Sequence, residues 1–233
     1  MKKIGIVGGV AWLSTVDYYS EICRRSAPST PEMSIESLDL NKAVAYLGVD
    51  GDEESWSQFD EYHRAALLRL EACGADFAVM ASNSPHHRFE SIVRGVGIPV
   101  IDMFEVVAKE SARIGAKEVL ILGTALTMRS PRFRAAFAKH GIAAAGPDDQ
   151  AVRAMTVELI ADLQLGKSEL AAERLGKIAR NQAVVCLACT ELPLAFPKHK
   201  FAATFEEGGV VYINSTAVHI NAAVDFAVDG KTI

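Results

Sequence analysis

Five stretches of the chain place small or polar side chains where an apolar run stops. They are Gly8-Gly9, Ser82-Asn83-Ser84, Gly123-Thr124, Cys189-Thr190 and Asn214-Ser215-Thr216. As ends of parallel strands they mark the edge of a sheet where ligands bind. Most lead into a helix, whose first N–H groups and partial positive charge suit a carboxylate or phosphate. Any one stretch reads more simply as a helix cap. Five converging on one cleft favour a ligand site for a small dianion.

Cys189 is the strongest nucleophile of the set. Cys186-Leu187-Ala188-Cys189 has the C-x-x-C form, but Cys186 falls inside an apolar strand. Residues three apart on a strand point to opposite faces, so the two sulfurs do not share a metal. Cys186 is read as a core residue. Cys189, at the strand end, is either a stabilised thiolate or a buried inert thiol. His86 and His87 follow the Ser82 turn, and His219 lies in the last helix; each reads as a surface or capping residue or as a catalyst, the former being the commoner case. His63, beside Arg64, is read as solvated.

Composition narrows the function. Lys plus Arg is 24 against 29 for Asp plus Glu, a net charge of −5, so no general nucleic-acid binding is expected. No apolar run is long enough to span a bilayer. The start, Met1-Lys2-Lys3 and then Ile4 to Leu13, looks like a signal peptide, but Gly5, Gly8 and Gly9 interrupt it and no cleavage site follows. Gly5-x-x-Gly8-Gly9 lacks dinucleotide-binding spacing, and no P-loop is present. Four cysteines (Cys23, Cys73, Cys186 and Cys189) make no disulfide scaffold in 233 residues. A cytoplasmic, reduced protein without a metal site is expected.

Short apolar runs alternate with amphipathic stretches, the pattern of an α/β protein with parallel strands. Strands are predicted at Lys3 to Val7, Met33 to Leu40, Phe77 to Ala81, Val96 to Ile101, Val119 to Leu122, Ala183 to Ala188 and Val210 to Ile213. Ser14 is the expected cap of the first helix. Asn41 to Glu54, rich in glycine and acid, reads as a loop. Trp56, Phe59, Tyr62, Ala66, Leu70 and Cys73 recur at helical spacing. Asp102 with Glu105 forms a capping-box pair, Ser130-Pro131 starts another helix, and further helices run near Asp149 to Leu165 and Ser168 to Arg180. Ser215 or Thr216 caps the last.

The two halves echo each other. Lys2 to Gly9 resembles Lys117 to Thr124, and Val79 to Ser84 resembles Cys186 to Glu191. Strand–glycine turn is followed in each half by strand–polar turn, as a duplication would leave it.

These motifs, in this order, resemble the aspartate/glutamate racemase family, and its aspartate racemase branch more than glutamate racemase. The likeness runs nearly end to end. It covers Ile4 to Gly9 with Trp12, Ser14 and Thr15; Ser82-Asn83-Ser84 with His86; Leu122-Gly123-Thr124; Cys189-Thr190-Glu191-Leu192-Pro193; and Ser215-Thr216 with His219. Glu191 stands where glutamate racemases usually carry histidine.

The resemblance implies two pseudo-symmetric Rossmann-like α/β domains, residues 1–100 with 210–233 and residues 101–209, and an active site in the cleft between them. It implies a cofactor-independent racemase, using no pyridoxal phosphate, that acts on aspartate, glutamate or a related acidic amino acid as a homodimer. One group removes the α-proton and another returns it on the opposite face. Cys189 and Ser82 are the expected catalytic pair. Gly9, Asn83, Ser84, Thr124, Thr190 and Ser215 are expected to bind substrate carboxylates, with His86, Glu191 and Lys42 ancillary.

Ser82 departs from the family pattern, which usually has cysteine there. A hydroxyl is far less acidic than a thiol, so asymmetric racemisation is expected. Asn214 also departs, where an acidic residue is common. A one-cysteine site equally suits a decarboxylase or isomerase of the same superfamily, and a third reading is a binding protein for an amino acid or dicarboxylate.

Overall fold

The computed structural model describes residues 1–229. The described residues divide into two compact units, residues 1–102 with 220–229 and residues 103–219.

The first unit contains β1 (Ile4–Gly8), α1 (Trp12–Arg25), β2 (Met33–Ser37), α2 (Leu40–Ala45), α3 (Ser57–Ala72), β3 (Phe77–Met80), α4 (Phe89–Ile92) and β4 (Val100–Ile101). Its sheet is parallel, in the order β2-β1-β3-β4. Every residue of β1 and β3 is buried. That is why both read as unbroken apolar runs: helices cover both faces of a parallel sheet. The edge strand β2 is only partly covered.

The second unit contains α5 (Met103–Arg113), β5 (Glu118–Gly123), α6 (Ala125–Arg129), α7 (Pro131–Ala138), β6 (Ala143–Ala145), α8 (Gln150–Gln164), α9 (Ala171–Ile178), β7 (Val184–Ala188), β8 (Thr204–Glu207) and β9 (Val210–Asn214). The last helix, α10 (Ser215–Asp229), starts here and ends in the first unit. The sheet order is β6-β5-β7-β9-β8, parallel except for β8 against β9. Without β8 this order repeats that of the first unit strand for strand, as the internal sequence echo leads one to expect. Gly208 and Gly209 make the β8–β9 turn at φ +60° and +79°, the two positive values that a tight two-residue hairpin requires.

Several expectations need correction. Residues 210–219 belong with the second unit, not the first, because β9 hydrogen-bonds to β7. The expected loop at Asn41 to Glu54 begins with α2, which forms because the Asp39 carboxylate accepts from the N–H groups of Asn41 and Lys42. Ser14 does not cap α1, which begins at Trp12; its hydroxyl is buried and donates to the Ala81 carbonyl at 2.9 Å. The Ser130 cap does form, accepting from the Phe133 N–H. His63 is buried rather than solvated. Its Nδ1 lies 2.8 Å from the Phe59 carbonyl, and its ring packs on Phe59.

Among the described residues no helix is long and apolar enough to cross a membrane.

Candidate active site

Cys189 follows β7 directly and is 5% exposed. Its thiol donates to Glu191 Oε2 at 2.9 Å. The Thr190 hydroxyl donates to the same oxygen at 2.9 Å, and Gln164 Nε2, on the last turn of α8, reaches Glu191 Oε1 at 3.4 Å. Glu191 is thus a buried carboxylate held by three neutral donors.

Burial is the largest influence on the thiol and pushes its pKa well above the ordinary value. The Glu191 carboxylate adds to this by charge and by its hydrogen bond. The backbone N–H groups of Glu191 and Thr190 oppose it. Cys189 therefore rests as a thiol at neutral pH, with its proton directed at an acceptor. Cys186, wholly buried in the strand, is a core residue as expected, and burial alone raises its pKa.

In the first unit, Ala81, Ser82 and Asn83 follow β3, and a 3-10 turn begins at Ser84. Ser82 is half-buried. Asn83 is buried, and neither its amide oxygen nor its amide nitrogen has a hydrogen-bond partner in the protein. Native folds rarely leave such atoms unpaired. The turn itself is held firmly. Ser14 anchors the Ala81 carbonyl, and the buried His86 ring spans from Met80 O (Nε2, 3.3 Å) to Asp102 Oδ1 (Nδ1, 3.2 Å). His86 positions the Ser82 turn, and Asp102, expected only as a helix cap, is its partner.

Four of the other residues expected to bind carboxylate, Gly9, Thr124, Thr190 and Ser215, are already engaged. The Gly9 N–H donates to Thr15 Oγ1 at 2.9 Å. Gly9 has φ +90°, and a Cβ there would overlap the Leu38 backbone, so close chain packing accounts for this glycine. The protons of the Thr190 and Ser215 hydroxyls go to Glu191 and to the Leu187 carbonyl. Neither is free to donate to a carboxylate. Thr124 caps α6, its Oγ1 accepting from the Thr127 N–H at 3.3 Å and lying 3.0 Å from Thr127 Oγ1. Ser84 is half-buried at the start of its turn, and Lys42 is exposed on α2.

Sequence reasoning missed Gln164 and Thr216. Gln164 comes from the far end of a helix and carries no local signal. Thr216 lies inside a recognised motif but reads there as a cap; it is buried, and its Oγ1 has no partner.

A thiol hydrogen-bonded to a carboxylate at a strand end is a group that can give up and take back a proton. The profile of the Asp/Glu/hydantoin racemase family matches residues 7–223. The chain belongs to that family. Among proteins similar to this racemase is the broad specificity amino-acid racemase RacX of Bacillus subtilis (strain 168), 24% identical over 200 residues, covering 81% of this chain and 85% of RacX. An aspartate racemase homologue from Pyrococcus horikoshii OT3 superposes with a TM-score of 0.78 at 28% identity, covering 97% of this chain and 99% of its own. The aspartate racemase of Picrophilus torridus shares the fold, with a TM-score of 0.76 at 20% identity, covering 100% of this chain and 96% of its own.

Proposed function

We propose that this racemase inverts the α-carbon of an acidic amino acid without a cofactor, and that it does so asymmetrically. The observation that carries this reading is the Cys189–Glu191 hydrogen bond. Cys189 passes its thiol proton to the Glu191 carboxylate, and the resulting thiolate takes the α-proton. The electron pair left on carbon spreads into the substrate carboxylate. A proton then reaches the opposite face of that carbon from the Ser82 hydroxyl, which recovers one from water, while Glu191 releases to water the proton it took from Cys189. In reverse, Ser82 is the base, and a hydroxyl is a poor one near neutral pH. One enantiomer therefore loses its α-proton much faster than the other. The unpaired amide of Asn83 supports the same reading, as a polar contact waiting for the substrate.

The test is α-hydrogen exchange in deuterated water, run separately with L- and D-aspartate and L- and D-glutamate. Exchange from one enantiomer, abolished in Cys189→Ala, is the expected result. Tight binding with no exchange from either would make the chain a binding protein. Carbon dioxide release from substituted malonates, without exchange, would make it a decarboxylase. The family resemblance also implies a homodimer in the cytoplasm, and light scattering on the purified chain checks the assembly.

A further inference from the structure

α10 springs directly from β9 with no loop between them. Its first turn holds no acidic side chain. Asn214, just before it, is neutral: its Oδ1 accepts from the Ala217 N–H at 3.2 Å, and its Nδ2 donates to the Lys200 carbonyl at 2.8 Å. No carboxylate of the helix start therefore neutralises the positive end of this 15-residue helix. Ser215 Oγ is turned onto the Leu187 carbonyl at 2.8 Å. Thr216 is the next residue. It is 5% exposed, and its Oγ1 has no hydrogen-bond partner.

A buried hydroxyl without a partner destabilises a fold, so its presence calls for something outside the chain to pair with it. Its position says what. Leu187 of β7 pairs with Asn214 of β9 in parallel register. Cys189 and Thr216 each lie two residues beyond that pair, at the same end of adjacent strands.

We propose that Thr216 Oγ1 and the start of α10 form the subsite that binds a substrate carboxylate beside Cys189. This rests on the racemase reading for the identity of the substrate, but the subsite itself is a carboxylate site whatever the reaction. The Thr216 hydroxyl donates to one carboxylate oxygen, and the positive end of the helix stabilises its charge. Negative charge grows on that carboxylate as the α-proton leaves, so the same contacts strengthen towards the transition state. The contact is thereby reassigned from Ser215, whose proton is already committed.

Thr216→Val keeps the shape and removes the hydroxyl. The experiment measures melting temperature with and without succinate, an unreactive dicarboxylate, and then KM and kcat for the exchanging enantiomer of aspartate. Succinate is expected to raise the melting temperature of the wild type and of Thr216→Ser, and to have little effect on Thr216→Val. Without ligand, Thr216→Val melts at or above the wild-type temperature, because an unpaired buried hydroxyl is gone. Its KM rises by roughly tenfold to a hundredfold, the worth of one charged hydrogen bond. The proposal is overturned if Thr216→Val binds succinate like the wild type, or if it melts lower without ligand, which would mean the hydroxyl has a partner within the fold. It is also overturned if neither succinate nor aspartate stabilises the wild type. Binding that depends on Thr216, with no exchange from any amino acid, would keep the subsite and remove the racemase reading.

Discussion

The Cys189 thiol and the Glu191 carboxylate share a proton line of 2.9 Å, two residues apart in a buried turn. The carboxylate does two opposed things. Its charge makes the thiolate harder to form, and its lone pair supplies the place for the proton to go. Removing the charge while keeping the shape separates the two.

Glu191→Gln is therefore expected to move thiolate formation at Cys189 to lower pH, because the carboxylate charge that opposes it is gone. It is also expected to slow α-hydrogen exchange by about a hundredfold, because the proton acceptor is lost. Alkylation rate against pH reads the first effect, and deuterium exchange reads the second. A variant that exchanges at the wild-type rate would show that Cys189 gives up its proton elsewhere.

Ser82→Cys restores a thiol at the other expected proton-transfer position. Turnover in the slow direction should rise by about tenfold or more, since a thiol is a far better base than a hydroxyl near neutral pH. The ratio of initial rates from the two enantiomers is the measurement. A ratio that does not move would place Ser82 away from the reacting carbon.

Chemical labelling should rank the cysteines by exposure first and acidity second. Cys73 is exposed, while Cys189 and Cys186 are both buried with thiols pushed up by burial. Peptide mapping after brief iodoacetamide treatment should find Cys73 modified first. Cys23, half-buried, should follow, and then Cys189, at the strand end, ahead of Cys186, which is wholly enclosed. Modification of Cys186 before Cys189 would mean that β7 opens before its terminal turn does.

Acid should destabilise the protein through His63. Burial lowers its pKa from 6.5 to about 4, against weaker raising effects from the Phe59 carbonyl and Asp60. Protons then bind more readily to the unfolded chain over that interval. The stabilisation is complete above pH 6.5 and is lost as pH falls towards 4, about 3 kcal/mol in all. His63→Leu should flatten the slope of unfolding free energy against pH in that window, whatever it does to stability at pH 7. An unchanged slope in urea titrations would assign the acid sensitivity to another group.

How far the chain could be read in advance depended on burial. β1, β3 and β7 are enclosed on both faces and show as plain apolar runs. β6 is three partly exposed alanines, and β8 carries two exposed glutamates, so neither gives a run to see. The candidate residues were legible as types at strand ends, but their bonding was not. Ser215 and Thr216 are adjacent hydroxyls in one motif, and only the fold decides that Ser215 turns to Leu187 while Thr216 is left unpaired. Ser14 reads as a cap because it precedes a helical pattern, yet its bond crosses 67 positions to Ala81. Contacts of that length leave no trace in local spacing.

The chain leaves the first unit after Asp102 and returns to it at Ile220. On return, Ala227 O accepts from the Lys2 N–H, and Phe226 packs edge-on against Phe77. During synthesis, residues 103–219 emerge as one uninterrupted block and are free to fold as soon as they clear the ribosome. The opening hundred residues must wait for the closing helix before their sheet is sealed. The half born first is therefore the half finished last.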